Sequence, residues 1–478
     1  MINRRDATKL LGAGLCLPFT NALWANNQPV SQLIEAVKTI TQGDKIELKL
    51  LYPEGSLANI KILAELFKRQ TGVTISLQET GVDRLSSDLI LDHSSAKHTV
   101  DIALPATFSL PTLIDADALL CLDQFEAKYQ DLSKLATSLY TIGDYHQGKR
   151  YGFQTDGDSY LLFLNSKMIK SAKLNSQYED TFGNKLTLAQ SWSQLDSQMK
   201  FFNQPQQQLF GGALFRTPNY MLWEWWVRLH SNGSFPVTDD FEPLINSPQG
   251  VSALQAMLDA TQSQHPSVIR NSLFDNWELY AKGNCFCNIG WGGTQKYLRR
   301  PQSAIKDQVQ TNLLPGFQLD GLYQPLSYFN WGWNYVVLAN SQHPELAYLF
   351  ALFATQPDQS ALAIAQPDGY FDPFQKSHYE NSQIKSIYGD EFLQAHQQSM
   401  TSPIPDFYVQ ANTAYFDSLR KAIMSAQSGA ISAQKALDLA AIQWQVTTLE
   451  VGKQQQQKQW RSLKSLYPEN LKRYIQNS

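Results

Sequence analysis

The chain is 478 residues long, too many for one hydrophobic core, which implies two or three domains. Hydrophobic residues supply 43% and aromatics 12%, but charged residues only 17%, so Gln, Asn, Ser and Thr carry much of the polarity, which suits neutral polar ligands better than ionic chemistry. A formal net charge of −4, from 39 basic and 43 acidic residues spread along the chain, lacks the basic footprint of a nucleic-acid binder, and the composition excludes collagen-like, coiled-coil and disordered classes.

The first element in chain order reads as an export signal over residues 1–25. Arg4, Arg5 and Lys9 open it, a short apolar run broken by Gly12, Gly14 and Pro18 follows, and small residues stand at Ala22 and Ala25. The run is too short to span a bilayer. Arg4-Arg5 resembles the twin-arginine export signal, from which Asp6 and Ala7 depart. Leu15 occupies the position before Cys16 where lipidation wants a small residue, so cleavage without lipidation is expected. Loss of this segment removes Arg4, Arg5, Lys9 and Asp6, taking the net charge from −4 to −6. Three cysteines then remain, and an odd count leaves at least one thiol unpaired. Cys285-Phe-Cys287 lies in an apolar run and reads as two core thiols on one face of a buried strand rather than a metal or redox pair.

Residues 45–51 alternate as a strand, Ser56 stands where it would cap a helix, and Ile60, Leu63, Ala64 and Phe67 recur at helical spacing up to Thr71-Gly72. Val73 to Leu77 forms a second strand, residues 85–91 a helix, and Val100 to Leu104 a third strand closed by Pro105. This β-α-β-α-β order predicts a parallel sheet whose ligand loops follow Tyr52, Gln78 and Leu104. A second α/β unit begins near Gly152, with Ser159 to Asn165 as a buried strand, and runs to about residue 330. Residues 344–355 and 406–450 are expected to be helical, and residues 452–478 form a polar extension containing Lys453-Gln-Gln-Gln-Gln-Lys458. Without a long linker between the units, their connections read as a hinge.

Gly143 to Arg150 fits a P-loop except at its end, where Arg150 replaces the magnesium-binding hydroxyl, and no strand precedes it. Gly290-Trp-Gly-Gly lacks dinucleotide spacing, His93 and His98 read as a solvated pair, and there is no His-Glu-x-x-His or Gly-x-Ser-x-Gly. No cofactor or metal is expected. Asp156 and Asp158 bracket Gly157; only two residues apart, they suit hydroxyl-accepting or turn-forming roles better than the opposed carboxylates of a glycosidase. Seven of eleven tryptophans fall between 223 and 333. An indole face suits the C–H face of a sugar ring, whereas the alternative for each is a place in the core, which Trp225 and Trp277 suit best. Trp291 and one of Trp331 and Trp333 are expected at a pocket, with the glycines around Trp291 letting the backbone turn and present its ring.

The ordered motifs resemble the family 1 extracellular solute-binding proteins of ABC importers, the group that includes maltose-binding proteins, from about Lys45 to Val451. Leu63 to Ile75 is similar to that family's first helix and second strand, and Val100-Asp-Ile-Ala to its "PDI" strand. Gly148-Lys-Arg-Tyr-Gly-Phe with Leu164-Asn-Ser-Lys resembles "GK-YG-P … YNK". Ser191-Trp-Ser-Gln-Leu, Ala281 to Trp291 and Gly429 to Trp444 resemble the later "TWDEL", "GKAAM-x-x-GxW" and closing-helix motifs. The resemblance implies an α/β two-lobe periplasmic-binding-protein fold with three chain crossings, near Asp156–Ser159, near Trp333–Val336 and after Tyr370. It divides the chain into a first lobe from 26–155 and 334–372, a second lobe from 156–333, a second-lobe helical part over 373–451, and the extension. By position it implies ligand contacts from Tyr52, Glu54, Glu79, Phe108, Asp156, Tyr220, Trp223, Trp291, Trp333, Tyr370 and Tyr415. It further implies a monomeric, non-enzymatic periplasmic protein that hands a carbohydrate or polyol to an ABC permease. The alternatives are a secreted glycoside hydrolase and a binder that presents its ligand to a receptor or periplasmic enzyme.

Overall fold

The computed structural model describes residues 28–95, 99–134 and 138–478. The expected export signal, with Cys16 and the cleavage positions, lies outside the described residues, as does His98. The strands that build the two main sheets are, in chain order, β1 (Glu47–Pro53), β2 (Thr74–Thr80), β3 (Ile102–Ala103), β4 (Gly152–Gln154), β5 (Ser159–Asn165), β6 (Phe210–Gly212), β7 (Cys285–Gly290), β8 (Val309–Asn312), β9 (Tyr328–Phe329) and β10 (Asn334–Val337).

The first sheet has the order β2-β1-β3-β10-β4. Its β1, β2 and β3 run parallel, as the alternation with helices Leu57–Thr71 and Leu85–Ser94 requires, while β10 enters antiparallel between β3 and β4. Ile60, Leu63, Ala64 and Phe67 form the buried stripe of the first of these helices, which ends where Gly72 turns left-handed at φ 84°. Ser56 precedes that helix without capping it, because its hydroxyl donates to the Pro53 carbonyl at 2.7 Å. Register places Tyr52 beside Glu79, so the carboxyl ends of β1 and β2 open on one edge.

The second sheet has the order β8-β5-β7-β6, with β9 also paired to β5. Every residue of β5 is buried, which accounts for its unbroken apolar run. On β7, Cys285 and Cys287 are buried free thiols two residues apart, and Phe286 stacks on Phe202 at 4.1 Å. Burial pushes the Cys285 thiol up to about 12, which fits core packing and not reactivity. The Gly143–Arg150 segment is a small hairpin, Tyr145–His146 against Lys149–Arg150, turning through Gln147 and Gly148 at φ 51° and 79°.

The chain passes from the first sheet to the second between Gln154 and Ser159 and returns between Phe329 and Asn334. Helices Pro344–Ala354 and Pro357–Ile364 then pack on the first lobe, before residues 369–374 lead to helices Ser382–Tyr388 and Asp390–Ser399 at the second sheet. The Gln-rich end is not a solvated tail. It forms helices Lys453–Ser465 and Glu469–Asn477, and their Trp460, Leu463 and Leu471, with Tyr467 of the turn between them, make a narrow buried stripe. Trp460 is 0% exposed against Phe235, Phe407 and Tyr467, and Gln456 and Gln459 bond to the Gln410 backbone. No helix among the described residues is long and apolar enough to cross a membrane.

Candidate functional site

The crossing segments meet at a set of buried carboxylates. Asp156 Oδ1 accepts from the Asp372 backbone N–H at 2.7 Å, and Asp158 Oδ2 accepts from Gly332 N–H at 3.2 Å, tying all three crossings together. The Gln154 amide donates to the Asp156 carbonyl at 2.5 Å and the Trp333 carbonyl at 3.3 Å. Asp156, Asp158 and Asp372 are 0%, 6% and 0% exposed, and each offers an oxygen within 4.8 Å of the others, close enough to hold a cation jointly. Burial first, then repulsion from Asp158 and Asp372 on Asp156 and from Asp372 on Asp158, pushes Asp156 and Asp158 well above the usual carboxylate range. Burial also raises Asp372, to about 6, against the pull of the Lys296 ammonium and the Tyr388 hydroxyl, which donates to its Oδ1 at 2.8 Å. Lys296 itself is lowered to about 8 by burial, and its Nζ donates to the carbonyls of Ile364, Gln366 and Phe371 at 2.8, 3.2 and 2.9 Å.

Beside this set lies an aromatic cluster centred on Trp331. Tyr220 stacks on it at 5.6 Å and 14°, while Phe108, Trp291 and Trp333 meet it edge-on at 5.2, 5.7 and 6.1 Å. The rings of Tyr220, Trp277, Trp291, Trp331, Trp333 and Tyr370, with Val82, Leu273 and the Asp158 carboxylate, line a cavity of about 20 Å³. That is room for about one water molecule. Val82 follows β2 of the first lobe and Trp291 follows β7 of the second, so the walls come from both.

Gly290, Gly292 and Gly293 do not take positive φ, so they are not needed for a left-handed turn at Trp291. They serve close approach instead. A Cβ on Gly292 would overlap the Asp372 carboxyl, and one on Gly293 would lie 2.9 Å from Trp277 Cη2 and 3.0 Å from Tyr370 Cβ. Helix Met221–Ser231, which follows Tyr220, is fixed from behind by buried ion pairs: Glu224 to Arg216 at 2.6 Å and to Arg228 at 2.9 Å, with Arg228 reaching Asp196 at 2.6 Å.

Of the residues singled out from the sequence, Tyr220, Trp291, Trp333 and Tyr370 wall the cavity. Phe108 and Trp223 stand one layer behind, both against Trp331, and Asp156 stands behind Asp158. Tyr52 is buried at the end of β1, while Glu54 and Glu79 lie exposed on the first-lobe rim, where the Glu54 carbonyl accepts from Tyr370 OH at 3.2 Å and Glu79 from Gly55 N–H at 3.3 Å. Tyr415 is not brought to the site. It packs among Phe241, Phe407 and Trp444 and bonds to Thr448, because its helix turns that face toward the C-terminal helices. Trp225 is core, donating to the Gly250 carbonyl; Trp277 is core as expected, 4% exposed, and its ring also lines the cavity, as do Trp331 and Trp333. Val82, Leu273, Lys296 and Asp372 escaped sequence reasoning, since no local motif marks them.

A family model described as "Bacterial extracellular solute-binding protein" matches residues 63–387. The chain belongs to this family. This solute-binding protein shares its fold with the maltose-bound MalE3 of T. maritima, at 16% identity and a TM-score of 0.72 over 84% of this chain and 100% of that one. It is also similar to a solute-binding protein from Agrobacterium radiobacter K84 in complex with ribitol (17%, TM-score 0.71, 84% and 98% of the two chains). A third is that of Agrobacterium vitis S4 with bound D-mannitol (17%, TM-score 0.70, 85% and 99%). No curated protein matches the chain.

Proposed function

We propose that this solute-binding protein captures a carbohydrate or polyol between its lobes and delivers it to an ABC permease of the inner membrane. In this reading it works as a periplasmic monomer, exported by the twin-arginine route and cleaved after Ala22 or Ala25. The lobe boundaries follow the division at residues 155, 333 and 372. The observation that carries the reading is the cavity at the lobe junction, where flat aromatic faces from both lobes surround a carboxylate able to accept hydroxyl protons. Tyr220, Trp291, Trp333 and Tyr370 stack on the ligand, and Asp158 and the rim carboxylates Glu54 and Glu79 orient it. The solved relatives that hold maltose, ribitol and mannitol support the same chemical class. Closure shifts an open–closed equilibrium about the three crossings and needs no covalent step.

A thermal-shift screen of the processed protein against maltose, ribitol, mannitol and a wider set of sugars tests this. A ligand at 100 times its Kd adds about 2.7 kcal/mol to the folded state. Small-angle scattering should show a smaller radius of gyration with the hit bound. Stabilisation by amino acids or metal ions alone would overturn the assignment.

A further inference from the structure

We propose that the ligand of this cleft carries a protonated amine as well as hydroxyls: an amino sugar or aminopolyol whose ammonium group faces Asp158. This deepens the carbohydrate reading and rests on it. Three buried carboxylates stand against one buried ammonium. That ammonium, Lys296, gives its hydrogen bonds to three backbone carbonyls rather than to the aspartates. Asp158 and Asp372 lie close enough to share a proton. Burial and repulsion hold Asp156 and Asp158 toward the neutral form, so without ligand it is protons that offset the excess of carboxyls over ammonium groups. Asp156 Oδ2 is fully buried and receives no hydrogen bond.

An uncompensated buried carboxylate is costly, and only a proton or a cation removes that cost. A neutral polyol offers dipoles alone, whereas an ammonium brings a charge and three donors. The walls suit it too, because an ammonium among indole and phenol faces gains cation–π attraction. The ring nitrogens point to the other half of the ligand: Nε1 of Trp277 and of Trp333 are buried without an acceptor, and both rings line the cavity. Hydroxyl oxygens would accept from them. The raised carboxylates fit the same picture, since a bound cation draws them back toward ionisation and releases protons.

Titration calorimetry on the processed protein at pH 7 compares two matched pairs, 1-amino-1-deoxyglucitol against glucitol and D-glucosamine against D-glucose, with putrescine and choline as amines that lack the polyol. The amine of each pair should bind at least tenfold tighter, with proton release seen as a buffer-dependent heat. The preference should shrink at pH 5, and Asp158→Asn should bring the ratio near one. The pH series on the unmodified protein reads the same effect should that variant fold poorly. Equal binding of both members of each pair overturns the amine and leaves the carbohydrate reading standing. Binding of putrescine or choline without any sugar or polyol overturns the carbohydrate reading and leaves the cationic group. Silence across the panel counts against both.

Discussion

Glu224→Gln is the substitution that best tests how the second lobe holds its aromatic wall. Glu224 is 1% exposed and meets both Arg216 and Arg228. Burial opposes its charge, but the two guanidiniums outweigh that and hold its carboxyl below the usual range. Glutamine keeps the shape and removes the charge, leaving Arg216 without a carboxylate and Arg228 with Asp196 alone. Orphaning a buried charge in this way costs about 3–5 kcal/mol. For a lobe of this size each kcal/mol lowers Tm by about 2–4 °C, so a drop of roughly 10 °C is expected. Urea melts without ligand measure it directly. The double variant Arg216→Met/Glu224→Met should recover much of the loss, because Arg228 keeps its paired bonds to Asp196 and no lone charge is left. A single variant that loses less than about 1 kcal/mol, or a double variant worse than the single, would refute the view that the pairing secures helix Met221–Ser231. Ligand affinity should fall with the single variant as well, because Tyr220 and Trp223 ride at the start of that helix.

Trp291→Ala should weaken ligand binding at least tenfold and also cost about 3–5 kcal/mol of stability, since the indole is 4% exposed and donates to Asn330 at 2.8 Å; Trp291→Phe should restore part of both, and calorimetry well below the melt would expose an unchanged Kd. Gly292→Ala should weaken binding by hindering closure, because its Cβ would overlap the Asp372 carboxyl; an unaltered change in radius of gyration with ligand would contradict this. Burial raises Asp406 to about 7, and its neutral form is favoured in the fold, so the stability it contributes is complete below pH ~4 and is lost as pH rises through about 7. Relative to Asp406→Asn, the protein should therefore lose about 1.4 kcal/mol per pH unit across that window, and parallel urea melts at pH 5 and 8 would reveal a flat difference instead. Trp460→Ala should cost about 3–5 kcal/mol, a loss that a dispensable tail would not show.

Local chemistry made the opening sheet legible. The Ile60–Phe67 stripe and the strands around it each satisfy a short-range period, so their parallel arrangement follows from the residues themselves. The cluster of seven indoles in about a hundred residues, several next to glycine, was legible, and all seven are buried, four of them also lining the cavity. Sorting them was another matter. Trp225 and Trp277 are both buried on helices, and only Trp277 also lines the cavity, where Gly293 lets the backbone approach its ring. Tyr415 failed for the converse reason: helical spacing gave its face a buried direction but did not say which neighbour would fill it.

The carboxylate set marks where reading a chain in order runs out. Asp156 and Asp158 could be noticed because they are two residues apart. Asp372 lies more than two hundred residues further on and joins them only because residues 369–374 cross between the lobes at the same place. Lys296 reaches the same place from a helix on which nothing flags it as buried. The excess of carboxyls over ammonium groups is thus a property of the crossing geometry, created by segments that are individually ordinary. A site assembled from three crossings feels any change in their angle, so in the proposed reading the groups that select the ligand and the segments that bend on closure are the same few residues. Ligand preference and lobe movement should therefore respond together to substitutions at Asp158 or Gly292, and separately from the stability set by Trp460.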